Sequence, residues 1–201
     1  MKGFYFITDA GLSLAGNLSD VARAVAAGVR VVQYREKQGD TQALVEEARR
    51  LRELCRTARF LVNDRVDVAL AADADGVHLG RDDLPYAEAR RLLGKNKIIG
   101  LTVGSLAEAL EAQELGADYL GVSPIFATLT KADAGPPMGL GLLREIRKRV
   151  SLPLVAIGGI SLANAPAVIR AGADMVCAIS MVVTQVDVAR EITKFQALFK
   201  V

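Results

Sequence analysis

Eight short, almost continuously apolar runs alternate along this chain with eight stretches of helical periodicity. The runs are "GFYFIT", "VRVVQYR", "RFLVND", "DGVHLG", "KIIGLT", "DYLGVS", "LPLVAIG" and "DMVCAIS". Between them lie "LSDVARAVAAG", "TQALVEEARRLRELC", "DVALAAD", "YAEARRLLG", "SLAEALEAQELG", "GLLREIRKRV" and "LANAPAVIRAG", and "DVAREITKFQALF" follows the last run. Strands apolar on both faces suit a parallel sheet covered by its own crossover helices. Eight such units with no Pro/Ser-rich linker predict one domain over 1–201, an α/β fold of the (β/α)8 TIM-barrel class, near the small end of its range of roughly 200 residues upward. An open doubly wound sheet is the alternative, but no G-x-G-x-x-G follows the first strand. Local signals agree with the helices: Ser105 and Glu108 fit a capping box, and Gly28, Gly94, Gly116 and Gly172 stand where helices should close.

The composition narrows the functional classes. The chain has 201 residues, 51% hydrophobic and 24% charged, with net charge +2. That balance, with no extended basic tract, argues against nucleic acid and anionic membranes as partners. Met1 leads directly into a strand-like run rather than a signal peptide, and no apolar stretch suits a membrane span. A cytoplasmic protein is expected. Cys55 falls on the buried face of a helix and Cys177 inside an apolar run, so both read as free buried thiols. The sequence leaves open whether copies of the chain form a homo-oligomer.

In a barrel of this class the active site lies at the C-terminal strand ends, so those ends are the places to search. The second run ends "VVQYREK"; alternation puts Gln33, Arg35 and Lys37 on one face, toward the barrel mouth. The third ends at Asn63 and Asp64, where Asp64 is equally suited to capping the next helix. Asp82 and Asp83 follow the fourth run. With Asp64 they suit one hard cation, since Mg²⁺ takes one or two carboxylates plus water and phosphate oxygens. His78, the only histidine, reads as a hydrogen-bonded core residue. Thr102 ends the fifth run.

After the sixth run comes "SPIFATLTKADAGPP", long against a usual connection of about 4–6 residues. Thr128, Thr130 and Lys131 there supply two hydroxyl donors and a point charge, suited to phosphate or diphosphate, and the Gly-Pro-Pro continuation suits a lid. Gly158, Gly159 and Ser180, after the seventh and eighth runs, sit where this fold often binds phosphate. No Ser-His-Asp set, Cys-His pair or Schiff-base lysine is apparent. The residues alone predict an enzyme joining or cleaving small phosphorylated molecules with Mg²⁺.

The motifs "YFITD", "VQYREK", "LVNDR", "DGVHLGRDD", "DYLGVSPIFATLTKADAGPP", "VAIGGI" and "VCAIS" together resemble thiamine-phosphate synthase, in order over nearly the whole chain. The resemblance implies a transferase of thiamine biosynthesis that joins hydroxymethylpyrimidine diphosphate to a thiazole phosphate and releases pyrophosphate. It assigns Gln33, Arg35, Lys37, Asn63 and Lys131 to the pyrimidine diphosphate, with Arg35, Lys37 and Lys131 stabilising the leaving group. It assigns Asp64 and Asp83 to Mg²⁺. Thr128, Thr130, Gly159, Ile179 and Ser180 would hold the thiazole phosphate and nearby groups, and Thr102 would lie near the pyrimidine. Gly104 stands where the pattern commonly has histidine, Ala127 where it has proline, and Arg81 where it has glutamine. A related thiazole tautomerase and a non-catalytic phosphate-binding barrel are the rival readings; the first needs a histidine near Gly104.

Overall fold

The structure is a computed structural model that describes residues 2–128, 130 and 135–200. The strands are β1 (Gly3–Ile7), β2 (Val31–Tyr34), β3 (Arg59–Asn63), β4 (Gly76–Leu79), β5 (Ile98–Val103), β6 (Tyr119–Val122), β7 (Leu154–Ala156) and β8 (Met175–Val176). They pair in parallel in sequence order, and β8 pairs back with β1, closing the barrel. Helices α1 (Asn17–Ala26), α2 (Thr41–Leu54), α3 (Val66–Ala71), α4 (Tyr86–Leu93), α5 (Leu106–Leu115), α6 (Gly139–Arg149) and α7 (Ala165–Arg170) form the crossovers. Two more, α8 (Ile179–Val183) and α9 (Val188–Ala197), follow β8. The molecule is a (β/α)8 TIM barrel, as the alternation predicts.

Side-chain alternation divides the core in two. Phe4, Phe6, Val32, Phe60, Val62, Val77 and Leu120 face outward beneath the helices. Tyr5, Ile7, Val31, Leu61, Tyr119, Val155, Met175 and Cys177 face inward and fill the barrel. Helix α9 seats Val188, Ile192 and Phe195 on this frame, and Phe195 meets Phe4 with ring centroids 5.0 Å apart.

The base of the barrel repeats one device. The carboxylates of Asp75, Asp118 and Asp174 accept the backbone N–H groups of Phe60, Ile99 and Leu154 at 2.8, 2.8 and 2.9 Å. Each aspartate stands just before an even strand and holds the start of the preceding odd one. Each also meets arginine: Arg52 and Arg59 at 3.6 Å, Arg90 at 2.9 Å and Arg147 at 3.1 Å. On β1 the same place, the Phe4 N–H, is taken by Oε1 of Gln196 at 3.3 Å.

Two details depart from the sequence reading. The eighth strand stops at Val176, although the apolar run continues through Ser180. The Cys177 N–H still reaches the Ala156 carbonyl at 2.9 Å, but Ile179 and Ser180 belong to the first turn of α8. At α5 the Ser105 hydroxyl does accept the Glu108 N–H, at 3.2 Å, but the Glu108 carboxylate takes the N–H of Gly104, one residue before the position a capping box requires. Gly28, Gly94, Gly116 and Gly172 all follow their helices with positive φ. Helix α6 ends on Arg147, Lys148 and Arg149, three cations placed against the carbonyl end of its dipole.

Candidate active site at the C-terminal rim

One cavity, of about 850 Å³ including its open mouth, lies at the C-terminal ends of the strands. Gln33, Arg35, Lys37, Asn63 and Asp64 line it from one side, and Thr128, Thr130, Gly158, Gly159, Ile179 and Ser180 from the other. Candidates scattered over 148 positions of sequence, from 33 to 180, thus share one space. His78 also lines it, while Thr102 does not; the Thr102 hydroxyl meets Nε2 of His78 at 2.8 Å. Lys131 lies outside the described residues.

The two cations at the end of β2 are held in advance. Buried Thr8 locks the backbone of Arg35: its Oγ1 accepts the Arg35 N–H at 2.9 Å and donates to the Arg35 carbonyl at 3.2 Å. Asp9 pairs with the Arg35 guanidinium at 3.2 Å. Lys37 lies beyond the strand and sets Nζ 2.5 Å from Oδ2 of Asp64. Thr8 and Asp9 were missed in the reading of strand ends, although "YFITD" carries them; their role depends on β1 lying beside β2.

Asp64 is not a helix cap. Helix α3 has no side-chain cap at its N-cap residue, Arg65. Asp64 instead adopts φ +62°, a left-handed conformation uncommon outside glycine and associated with functional sites. Its N–H is anchored to the His78 carbonyl at 2.8 Å. Its carboxylate meets both Lys37 and Asp83. Burial pushes the Asp64 carboxyl up, but hydrogen bonds from Asp83 and Lys37 outweigh it and hold the group below the ordinary range. Asp83 moves the opposite way, raised by burial and by the Asp64 carboxylate beside it. Asp83 is therefore the member of the pair that takes a proton first. It also accepts the Gly80 N–H at 2.6 Å. Asp82, by contrast, is exposed. Asp64 lines the cavity while Asp83, beside it, is not among the lining residues; two neighbouring carboxyl groups form a donor set that a hard divalent cation fits. Among the described residues no group of three or more His, Cys, Asp or Glu side chains is placed to hold a metal.

The glycines after β7 have a packing reason. A Cβ on Gly159, at φ +62°, would lie 2.5 Å from the Ala127 carbonyl oxygen, and one on Gly158 2.7 Å from Cβ of Pro124. The loop after β6 presses on this turn, and Ile125 and Phe126 donate to the carbonyls of Ile157 and Gly158 at 2.9 and 3.0 Å. Thr128 and Thr130 are thereby carried to the cavity edge, where the Thr130 N–H meets Thr128 Oγ1 at 3.3 Å.

The departures at Arg81 and Gly104 meet in space. The Arg81 guanidinium pairs with Glu108 at 3.1 Å, and a Cβ on Gly104 would sit 2.2 Å from it. Arg81 occupies the room that a side chain at position 104 would need. The two cysteines are buried as expected; burial pushes the Cys55 thiol up to about 12 and the Cys177 thiol higher still, so neither is an activated nucleophile.

The family described as thiamine monophosphate synthase matches residues 4–182. The chain belongs to that family. It is 55% identical over 193 residues to thiamine-phosphate synthase of Methanosarcina barkeri, covering 96% of this chain and 88% of the relative. It is 54% identical over 200 residues to thiamine-phosphate synthase of Chloroflexus aurantiacus, covering 98% and 92%. Among solved structures, thiamine phosphate pyrophosphorylase from Pyrococcus furiosus superposes with a TM-score of 0.89 at 42% identity, over 98% of this chain and 94% of that one. The thiamine monophosphate synthase match spans β2 to β8, all of β1 but Gly3, and every described cavity-lining residue named above. Among the described residues, no helix is long and apolar enough to cross a membrane.

Proposed function

We propose that this chain is a thiamine-phosphate synthase, joining hydroxymethylpyrimidine diphosphate to hydroxyethylthiazole phosphate with release of pyrophosphate, and that it requires Mg²⁺. The observation that carries the reading is the single cavity ringed by Gln33, Arg35, Lys37, Asn63 and Asp64 on one side and Thr128, Thr130, Gly159 and Ser180 on the other, in a chain of this family. The first group suits the pyrimidine diphosphate and the second the thiazole phosphate.

The chemistry asks little nucleophilic help from the protein. The methylene C–O bond breaks and its electron pair leaves with pyrophosphate. The thiazole nitrogen lone pair then forms the new C–N bond. The protein must stabilise charge on the leaving oxygens and keep water from the cationic methylene carbon. Arg35, fixed by Thr8 and Asp9, offers planar donors to the diphosphate; Lys37 offers a mobile point charge. Lys131 is proposed to add a third. Asp64 and Asp83 would hold Mg²⁺, which when bound supplies charge neutralisation at the pyrophosphate. Lys37 now occupies one face of Asp64; released from it, Lys37 becomes available to phosphate oxygens. Ser180 and Gly159 lie at the cavity edge, and the loop carrying Thr128 and Thr130 borders its mouth.

The test is a coupling assay on purified protein with both substrates, with and without Mg²⁺, following thiamine phosphate and pyrophosphate together. Equal, Mg²⁺-dependent formation of both is expected. Absence of both products from folded protein would overturn the reading, and metal-independent turnover would overturn its Mg²⁺ component.

A further inference from the structure

Behind the cavity a line of buried polar groups crosses the barrel interior. Nε2 of Gln33 donates to the Tyr5 hydroxyl at 2.9 Å. The Tyr5 and Tyr119 hydroxyls are 2.7 Å apart. The Tyr119 hydroxyl lies 2.8 Å from Nδ1 of His78, and Nε2 of His78 lies 2.8 Å from the Thr102 hydroxyl. Five strands contribute: β2, β1, β6, β4 and β5. Gln33, Tyr5, Tyr119 and His78 are 1%, 1%, 4% and 5% exposed.

The backbone makes room for this line. A Cβ on Gly100 would stand 2.0 Å from Cζ of Tyr119, and one on Gly121 2.8 Å from Cε1 of His78. Glycine inside a strand commonly marks such a close approach.

Each phenol has one hydrogen to give. Burial pushes both phenols well above their ordinary value, so both hydrogens stay in place. With Gln33 donating to Tyr5, every hydrogen along the line finds an acceptor when the Tyr5 hydrogen goes to Tyr119 and the Tyr119 hydrogen to Nδ1 of His78. A neutral imidazole carries its hydrogen on the other nitrogen, here Nε2, which donates to Thr102. The opposite polarity, running from Thr102 to a flipped Gln33 carboxamide, is the alternative that would place the imidazole hydrogen on Nδ1.

We propose that Tyr5 and Tyr119 are positioning residues that polarise this chain in one direction, fixing His78 as the Nε2–H tautomer and holding Gln33 with its carboxamide oxygen as the acceptor left for a ligand. A glutamine free to flip accepts an amino group or an oxo group equally. A glutamine held this way selects a heteroaromatic ring bearing an exocyclic amino donor and disfavours the oxo analogue. The ligand assignment rests on the function proposed above; the tautomer and its control by Tyr119 do not.

The experiment uses untagged protein with ¹⁵N-labelled histidine. His78 is the only histidine in the sequence, so long-range ¹H–¹⁵N spectra report one imidazole without assignment. At about pH 8, above the ordinary imidazole value, the neutral Nε2–H form is expected. A hydrogen on Nδ1, or an averaged mixture, in the wild type would overturn the proposal without any variant. Tyr119→Phe keeps the ring and removes the donor to Nδ1; the imidazole should become an averaged mixture, and an unchanged tautomer would overturn the chain. In Tyr5→Phe, preference for the amino pyrimidine diphosphate over its oxo analogue should fall roughly tenfold, the size of one mispaired polar group, while KM for the thiazole phosphate stays put. An unchanged preference would remove the role of Tyr5 in orienting Gln33. Lack of coupling activity with the expected tautomer would fail the functional reading and leave the chain standing.

Discussion

Replacing Asp83 in two ways separates what its carboxyl does for the fold from what it is proposed to do for Mg²⁺. In the metal-free protein Asp83 accepts from the Gly80 N–H at 2.6 Å and, when protonated, donates to Asp64. Asp83→Ala removes both bonds. A hydrogen bond to a charged group is worth about 1.5–3 kcal/mol and an ordinary one about 0.5–1.5 kcal/mol. The site is half-buried, so the low end applies, and a loss of about 2–3 kcal/mol is expected. For a domain of this length that is a fall in Tm of about 4–12 °C. Asp83→Asn keeps an N–H for Asp64 and an oxygen for Gly80, so in mildly acidic chelator, where Asp83 is protonated, its Tm should stay within about 2 °C of wild type. Both variants lack the second carboxylate and should lose Mg²⁺-dependent coupling. Thermal unfolding in chelator, repeated with Mg²⁺ and paired with the coupling assay, reads all of this. An Asn variant as unstable as the Ala variant would refute the assignment of Asp83 as donor. Full Mg²⁺-dependent activity in the Asn variant would refute the metal role.

The same pair predicts a pH signature in metal-free protein. Because the folded value of Asp83 is raised, its contribution is complete at low pH and is lost as pH rises through that value; Asp64, depressed, contributes above its ordinary value and loses this as pH falls through the folded one. The stability difference between wild type and Asp83→Asn, measured by denaturant titration, should be small in acid and grow in the variant's favour as pH rises toward neutral, because the amide keeps what the carboxyl loses; a constant difference would contradict it. Lys37→Ala should bind Mg²⁺ alone up to about fivefold more tightly, because an exposed competing ion pair is worth about 0.2–1 kcal/mol, yet bind pyrophosphate more weakly; calorimetry with each ligand checks both. Asp174→Ala, at the far end of the barrel, should lower Tm by about 3–8 °C for the loss of its bonds to Leu154 and Arg147 while kcat is unchanged; a selective loss of activity would contradict a purely structural role.

The barrel was legible because each strand's apolar run is bounded by its own stop signals, such as Gly94 and Gly116. The end of β8 was not. "AISMVV" is apolar apart from Ser180, and a short apolar run does not distinguish a strand from a buried helical turn. Arg35 and Lys37 could be placed at the rim because alternation from Val31 fixes their face. Asp64 was undecided between cap and site: the deciding facts, φ +62° and the approach of Lys37 and Asp83, are tertiary. Tyr5 and Tyr119 are 114 positions apart, and both sit in runs that read as ordinary core. Gly100 and Gly121 were the local trace of that polar line, visible as interruptions in two otherwise apolar strands.

The aspartates at the base of the barrel imply where the chain tolerates being cut. Asp75 ties β4 to β3, Asp118 ties β6 to β5, and Asp174 ties β8 to β7, so the barrel is latched in consecutive pairs. Among the described residues, the seams between pairs carry no such latch. Gln196 supplies the equivalent latch for β1 from α9, which brings the end of the chain beside its beginning. A circular permutant joined there and reopened between α2 and β3, at 55–58, would keep all four latches. One opened between α3 and β4 would sever the connection across the Asp75 latch.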